Sequence, residues 1–204
     1  MGYDVGKEGN VAEEKRTEEI SEIKQEPSVS PEDMRYMKEA IRQAKKAAAL
    51  GDVPIGCVIV YQDKIIGRGY NRRMADKTVL AHAEILAMKK ACKKMGDWRL
   101  EDCTMYVTLE PCSHYGKTPP CADKIVEKKI GRVVVGALDP NPLVAGRGIE
   151  KIRNAGIPVI TGVLAERSIA LNEVFMKYIV TKRPFVLLKA AMSLDGKIAT
   201  AEGE

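Results

Sequence analysis

One histidine, one glutamate and two cysteines stand at spacings that suit metal-assisted proton chemistry. His82 and Glu84 belong to a His-Ala-Glu triplet, and Cys112 and Cys121 bound the segment SHYGKTPP. A catalytic zinc site takes three protein ligands and keeps a fourth position for water. His82, Cys112 and Cys121 supply the three, with Zn2+ as the expected cofactor. Glu84 is left over as a proton shuttle. Zinc lowers the pKa of bound water to about 7, and a neighbouring carboxylate can carry protons from that water to a departing group. The chemistry that fits is zinc-assisted hydrolysis, with water added to an electrophilic carbon. Read singly, these residues are ordinary, since a lone His is often structural and a lone Cys is usually a small buried hydrophobe. Their joint pattern is what points to a site. A structural four-ligand site that adds His114 stands as an alternative, but it leaves Glu84 without a role.

The flanking sequence supplies elements that can hold these groups. His82 and Glu84 lie about 200° apart on an ideal helix, so they can share a cavity only in a first turn. An apolar-periodic helix is predicted to start near His82 and end near Gly96. A strand over 104–109 delivers Glu110-Pro111-Cys112 at its end. Pro119-Pro120 precedes a helix from Cys121 to Lys129, whose dipole should favour the Cys121 thiolate. Ser30-Pro31-Glu32-Asp33 starts a helix with an apolar face of Met34, Met37, Ile41, Ala44 and Ala48, ended by Gly51. Two strands around Gln62-Asp63-Lys64 form a hairpin, and residues 71–79 form a polar, basic loop. Trp98 and Leu100 should pack beneath the following loop. Further strands are predicted at 132–137 and 157–161, with helices at 148–154 and 164–180. The alternation argues an α/β domain over a covered, largely parallel sheet. Phe185 to Lys189 reads as one more strand. Cys57, Cys92 and Cys103 lack partner spacing and read as packing residues.

The chain has 204 residues, enough for one packed domain and an appendage. Residues 1–30 read as a disordered acidic tail, 31–180 as the domain. The net charge of +5 is uneven: residues 1–33 carry −6, leaving +11 on the remainder. A basic body suits an anionic partner, a small phosphate ester or RNA. There is no apolar run that would cross a membrane and no signal-peptide core, so no membrane association and a cytoplasmic location are expected. The five cysteines then read as thiols or metal ligands.

An H-x-E triplet followed by P-C-x-x-C marks the zinc nucleobase deaminases. Here eight residues separate the two cysteines. DVPIGCVIV (52–60), IIGRGYNRR (65–73), HAEILAMKKA (82–91) and WRLEDCTMYVTLEPC (98–112) resemble bacterial tRNA adenosine deaminase. That resemblance implies that Asn71 holds a base and that tRNA is a partner. TMYVTLEPCSHYGKTPPCADKI, RVVVGALDPNPLVAGRGIEKIRNAGI and KRPFVLLKAAMSLDGKIAT resemble the bifunctional deaminase/reductase of riboflavin biosynthesis, in which the eight-residue gap is normal. This second resemblance implies a phosphorylated pyrimidine substrate contacted by His114 and Lys117. It also implies that residues 181–204 are the truncated start of a reductase domain, without reductase activity. Together the two read like a join at TMYVTLEPC, and an inactive zinc-stabilised fold is the third reading of such a join. Both imply a three-layer α/β/α cytidine deaminase-like fold with a mixed five-stranded sheet, and a homo-oligomer.

Overall fold

The computed structural model describes residues 29–116, 119–142 and 144–199. Residues 1–28 of the acidic tail and Lys117 lie outside the described residues. Helix α1 spans Pro31–Ala49 and starts in a capping box: Asp33 N donates to Ser30 Oγ, and Ser30 N to Asp33 Oδ2, both at 3.1 Å. Its buried face is Tyr36, Met37, Ala40, Ile41, Ala44 and Ala47. The expected face is therefore rotated, with Met34 and Ala48 exposed. Tyr36 turns it: its hydroxyl donates to the Asp63 carbonyl at 2.8 Å, and its ring lies 5.2 Å from that of Tyr106.

The sheet has the order β2-β1-β3-β4-β5. The strands are β1 Gly56–Tyr61, β2 Lys64–Tyr70, β3 Thr104–Leu109, β4 Arg132–Ala137 and β5 Val159–Ile160. Gln62 and Asp63 both adopt positive φ, as a two-residue hairpin turn requires, so β1 and β2 run antiparallel. β1 also pairs antiparallel with β3, while β3–β4 and β4–β5 are parallel. The sheet is thus mixed rather than largely parallel. Its side chains alternate with the strand period of two. Cys57, Ile59, Met105, Val107, Val133 and Val135 face α2 (Ala83–Met95), α3 (Cys121–Glu127) and α4 (Arg147–Asn154). Val58, Val60, Tyr106 and Val134 face α1 on the other side, which α5 (Ala165–Leu171) also covers. The result is a three-layer α/β/α fold.

Three expectations are corrected at the periphery. Trp98 is half exposed, whereas Leu100 is buried. The single helix expected over 164–180 breaks at Asn172, whose side-chain amide donates to the carbonyls of Ser168 and Pro54. Helix α6 (Glu173–Thr181) follows and buries no residue. The strand expected at Phe185 to Lys189 does not form. Val186, Leu187 and Leu188 are exposed there, and the segment joins neither edge strand of the sheet, β2 or β5. Among the described residues no helix is long and apolar enough to cross a membrane.

One buried ion pair fastens α1 to the sheet. Both oxygens of the buried Asp33 accept from Arg132, each at 2.8 Å, and Tyr106 donates at 3.1 Å. Burial alone would raise the Asp33 carboxyl, but Arg132 and the Ser30 amide more than offset it and hold it low. A depressed folded pKa gives stability that is present above the unfolded value and is lost as pH falls through the folded one. Asp33→Asn is therefore expected to lose roughly 1.5–3 kcal/mol at pH 7. Urea unfolding of both forms checks this, and the gap should narrow in acid. Equal stability at pH 7 would mean the pair contributes nothing net.

Candidate active site

The first turn of α2 sits directly on β2. A Cβ at Gly69 would lie 2.0 Å from the Ala83 carbonyl oxygen, so only glycine permits that approach. His82 is the N-cap, with extended backbone (φ −73, ψ 149) and no side-chain capping bond. Its imidazole is thereby free for a ligand. Glu84, in the first turn, is buried. The helix start resolves the 200° conflict, because His82 has not yet entered the helical path.

Cys112 leaves the end of β3 and docks on the start of α3. The amides of Cys121 and Ala122 are among those a helix N-terminus leaves unpaired. They donate to Cys112 Sγ at 3.2 Å and to the Cys112 carbonyl at 3.1 Å. His82 Nδ1 stands 3.9 Å from Cys112 Sγ and 3.2 Å from Cys121 Sγ. The three ligand atoms lie within 4.8 Å of one another and could hold a metal ion. In a tetrahedral zinc site, bond lengths near 2.0 and 2.3 Å put N and S about 3.5 Å apart. The two observed distances bracket that value, and an imidazole with two thiols suits zinc. His114 is not a member of this cluster, so the four-ligand alternative has no support among the described residues.

The two thiols divide their acidity. Cys121 donates to Cys112 and, against burial, holds the Cys112 thiol down to about 4, with His82 adding to the effect. That same bond and burial push the Cys121 thiol well up. The helix-start effect expected for Cys121 thus falls on Cys112, because it is Cys112 Sγ that the Cys121 amide faces. Burial, and next the charge on Cys112, raise the Glu84 carboxyl, while His82 opposes them. A carboxyl tuned upward holds a proton more readily than a free one and can still give it back.

The remaining candidates lie around this cluster. Asn71 is buried, and its side-chain amide donates to the Val53 carbonyl at 3.3 Å. The next residue, Arg72, bonds through its amide to the Ala81 carbonyl, immediately before His82. His114 is exposed and borders a groove of about 840 Å³ with Arg147 and Lys151. A second cavity, of about 390 Å³, reaches His82 and Cys121 from the α2–α3 side. It is largely apolar, with Leu80, Met88 and Trp98 in its wall, and Asn71, Glu84 and His114 do not line it. Cys57 and Cys103 are buried in the core and Cys92 packs against it, all as free thiols.

Two buried acids carry no role in the sequence reading. Glu110 accepts the amides of Asp139 (3.3 Å), Gly146 (2.9 Å) and Gly148 (3.0 Å). Asp139 follows β4; burial raises its carboxyl, which senses both His114 and Cys112. The available signal was an acid at the end of an apolar strand, where open α/β sheets bind ligands.

An imidazole and two thiols at two helix starts of an α/β/α fold, beside a buried carboxylate, make the donor set of a catalytic zinc site with a proton carrier next to it. The chain belongs to the cytidine and deoxycytidylate deaminase zinc-binding family, whose model matches residues 30–137. The riboflavin biosynthesis protein RibD of Aquifex aeolicus is 47% identical over 173 residues, covering 84% of this chain and 46% of the relative. A Thermotoga maritima diaminohydroxyphosphoribosylaminopyrimidine deaminase/5-amino-6-(5-phosphoribosylamino)uracil reductase superposes with a TM-score of 0.75 at 48% identity, over 84% of this chain and 48% of that one. A tRNA:A34 deaminase superposes with a TM-score of 0.58 at 32% identity, over 67% of this chain and 98% of that one. The chain spans about half the length of the curated relatives it matches. The 173-residue alignment is longer than everything after residue 103, so one relative matches both halves. The resemblance to this relative therefore runs across TMYVTLEPC, the point at which the sequence reads like a join.

Proposed function

We propose that this chain deaminates the phosphoribosyl diaminopyrimidine of riboflavin biosynthesis. The single observation that carries the substrate is identity of 40–47% to RibD proteins through both halves of the domain. His82, Cys112 and Cys121 hold the zinc, which when bound supplies a nucleophilic water near neutral pH. Glu84 carries two protons in turn from the attacking water, the first to the ring nitrogen and the second to the departing amine, which leaves as ammonia while the water oxygen stays on the ring carbon. Burial of Glu84 keeps bulk water from competing for that proton. Asn71 contacts the ring, and His114 and Lys117 contact the phosphate. Arg147 lines the same groove as His114, together with Asp123, Glu127, Glu150 and Lys151. A homo-oligomer in the cytoplasm is part of the same proposal.

Deamination of a tRNA wobble adenosine is the second reading. It is favoured by Asn71 and by likeness to the tRNA:A34 deaminase. Against it, Arg72 in the basic loop gives its guanidinium to Asp76 at 2.7–3.0 Å, so that charge is already spoken for. Side-by-side assays with the diaminopyrimidine phosphate and with a tRNA anticodon stem-loop separate the two. Ammonia release only from the stem-loop would reverse the assignment. Lys117→Met is expected to raise KM for the phosphorylated substrate, lowering kcat/KM roughly ten- to a hundredfold. An unchanged KM would remove Lys117 from the phosphate site.

A further inference from the structure

We propose that Glu110 is a positioning residue for the deamination, an inference that rests on the reading above. Its carboxylate ties the strand end that carries Cys112 to the segment from Asp139 to Gly148. Three amides converge on it, those of Asp139, Gly146 and Gly148. Gly146 is the N-cap of α4, and Gly148 lies in that helix's first turn. The first amides of a helix have no partner within it. Glu110 therefore caps α4 from a neighbouring strand, and its charge suits the positive end of the helix. The approach is close enough to exclude a side chain at 148: a Cβ there would lie 2.1 Å from the Pro111 carbonyl oxygen and 3.2 Å from Glu110 Oε1.

The consequence for function lies in what the same segment carries. Asp139, at its start, is buried near Cys112 and senses the charge of His114. Arg147, at its end, shares a groove with His114. One carboxylate thus sets the wall of the site, from the strand end to the groove that His114 and Arg147 share, relative to Cys112. Glutamine at 110 keeps the shape but offers one accepting oxygen in place of two, and turns an N–H2 toward an N–H. The wall should then loosen without loss of the metal.

The experiment compares wild type with Glu110→Gln by zinc content, amide hydrogen exchange and kinetics on the diaminopyrimidine phosphate. The expected result is full zinc, faster exchange in peptides covering 139–148, and kcat/KM lowered roughly tenfold or more, mainly through KM. Faster exchange with unchanged kcat/KM would overturn the proposal, leaving a purely structural cap. So would loss of zinc, since Glu110 would then act through Cys112. If Glu110→Gln does not fold, Glu110→Asp, which keeps the charge and shortens the reach, carries the same measurements. Wild type inactive on this substrate would count against the proposed function. The exchange comparison, with kcat/KM measured on whichever substrate wild type does deaminate, would still decide the role of Glu110.

Discussion

Glu84→Gln is expected to keep its zinc and fold while losing turnover by at least roughly a hundredfold, and up to ten-thousandfold, the usual range for removing a general acid–base group. The substitution nearly preserves volume and shape in a buried position. What it removes is a group that can hold a proton and give it back. Glu84 sits in the first turn of α2, two residues from His82, and burial raises its carboxyl. A carboxyl in that state matches the two-way transfer that deamination requires. The loss should fall on kcat, because no ground-state contact need change. Zinc analysis and a thermal melt on the same sample separate loss of chemistry from loss of site. Full activity with Glu110 and Asp139 intact would hand the proton to one of those acids and remove Glu84 from the mechanism.

The cluster was legible in the sequence because its constraints are local. His82 and Glu84 must be in a first turn to share a cavity, and an apolar-periodic helix begins there. Cys112 ends an apolar strand, and Cys121 follows two prolines that set a helix entry. Those short-range patterns fixed four side chains and most of the elements around them. What stayed hidden depended on pairing across the fold. Which thiol carries the charge depends on where the Cys121 amide points, and periodicity is silent on that. Glu110 looked like a residue in passing until three amides from a segment about thirty residues later converged on it. Likewise, the rotation of α1 followed from one hydroxyl, that of Tyr36, reaching the hairpin turn at Asp63. The apolar run at 185–189 shows the opposite failure, since β-propensity that docks on no neighbouring strand makes no strand.

Replacing one thiol should show how far the metal holds the domain together. Cys121→Ala removes one of the three proposed ligands at the start of α3, and two donors do not retain zinc against dilution. Anything that binds only the folded state stabilises it by mass action, about 4 kcal/mol when its free concentration is a thousand times its Kd. The variant should therefore contain no zinc and melt well below wild type in zinc-containing buffer. Cys92→Ala is the matched control, since Cys92 is half-buried on α2 with its thiol donating to the Trp98 carbonyl, away from the cluster. It should keep its zinc and change stability by no more than about 1 kcal/mol. Excess chelator supplies the decisive comparison. Wild type should fall to the melting temperature of Cys121→Ala, because the two then lack the same thing. A gap that persists in chelator would mean that the Cys121 side chain stabilises the fold by packing beneath α3 rather than by holding a metal.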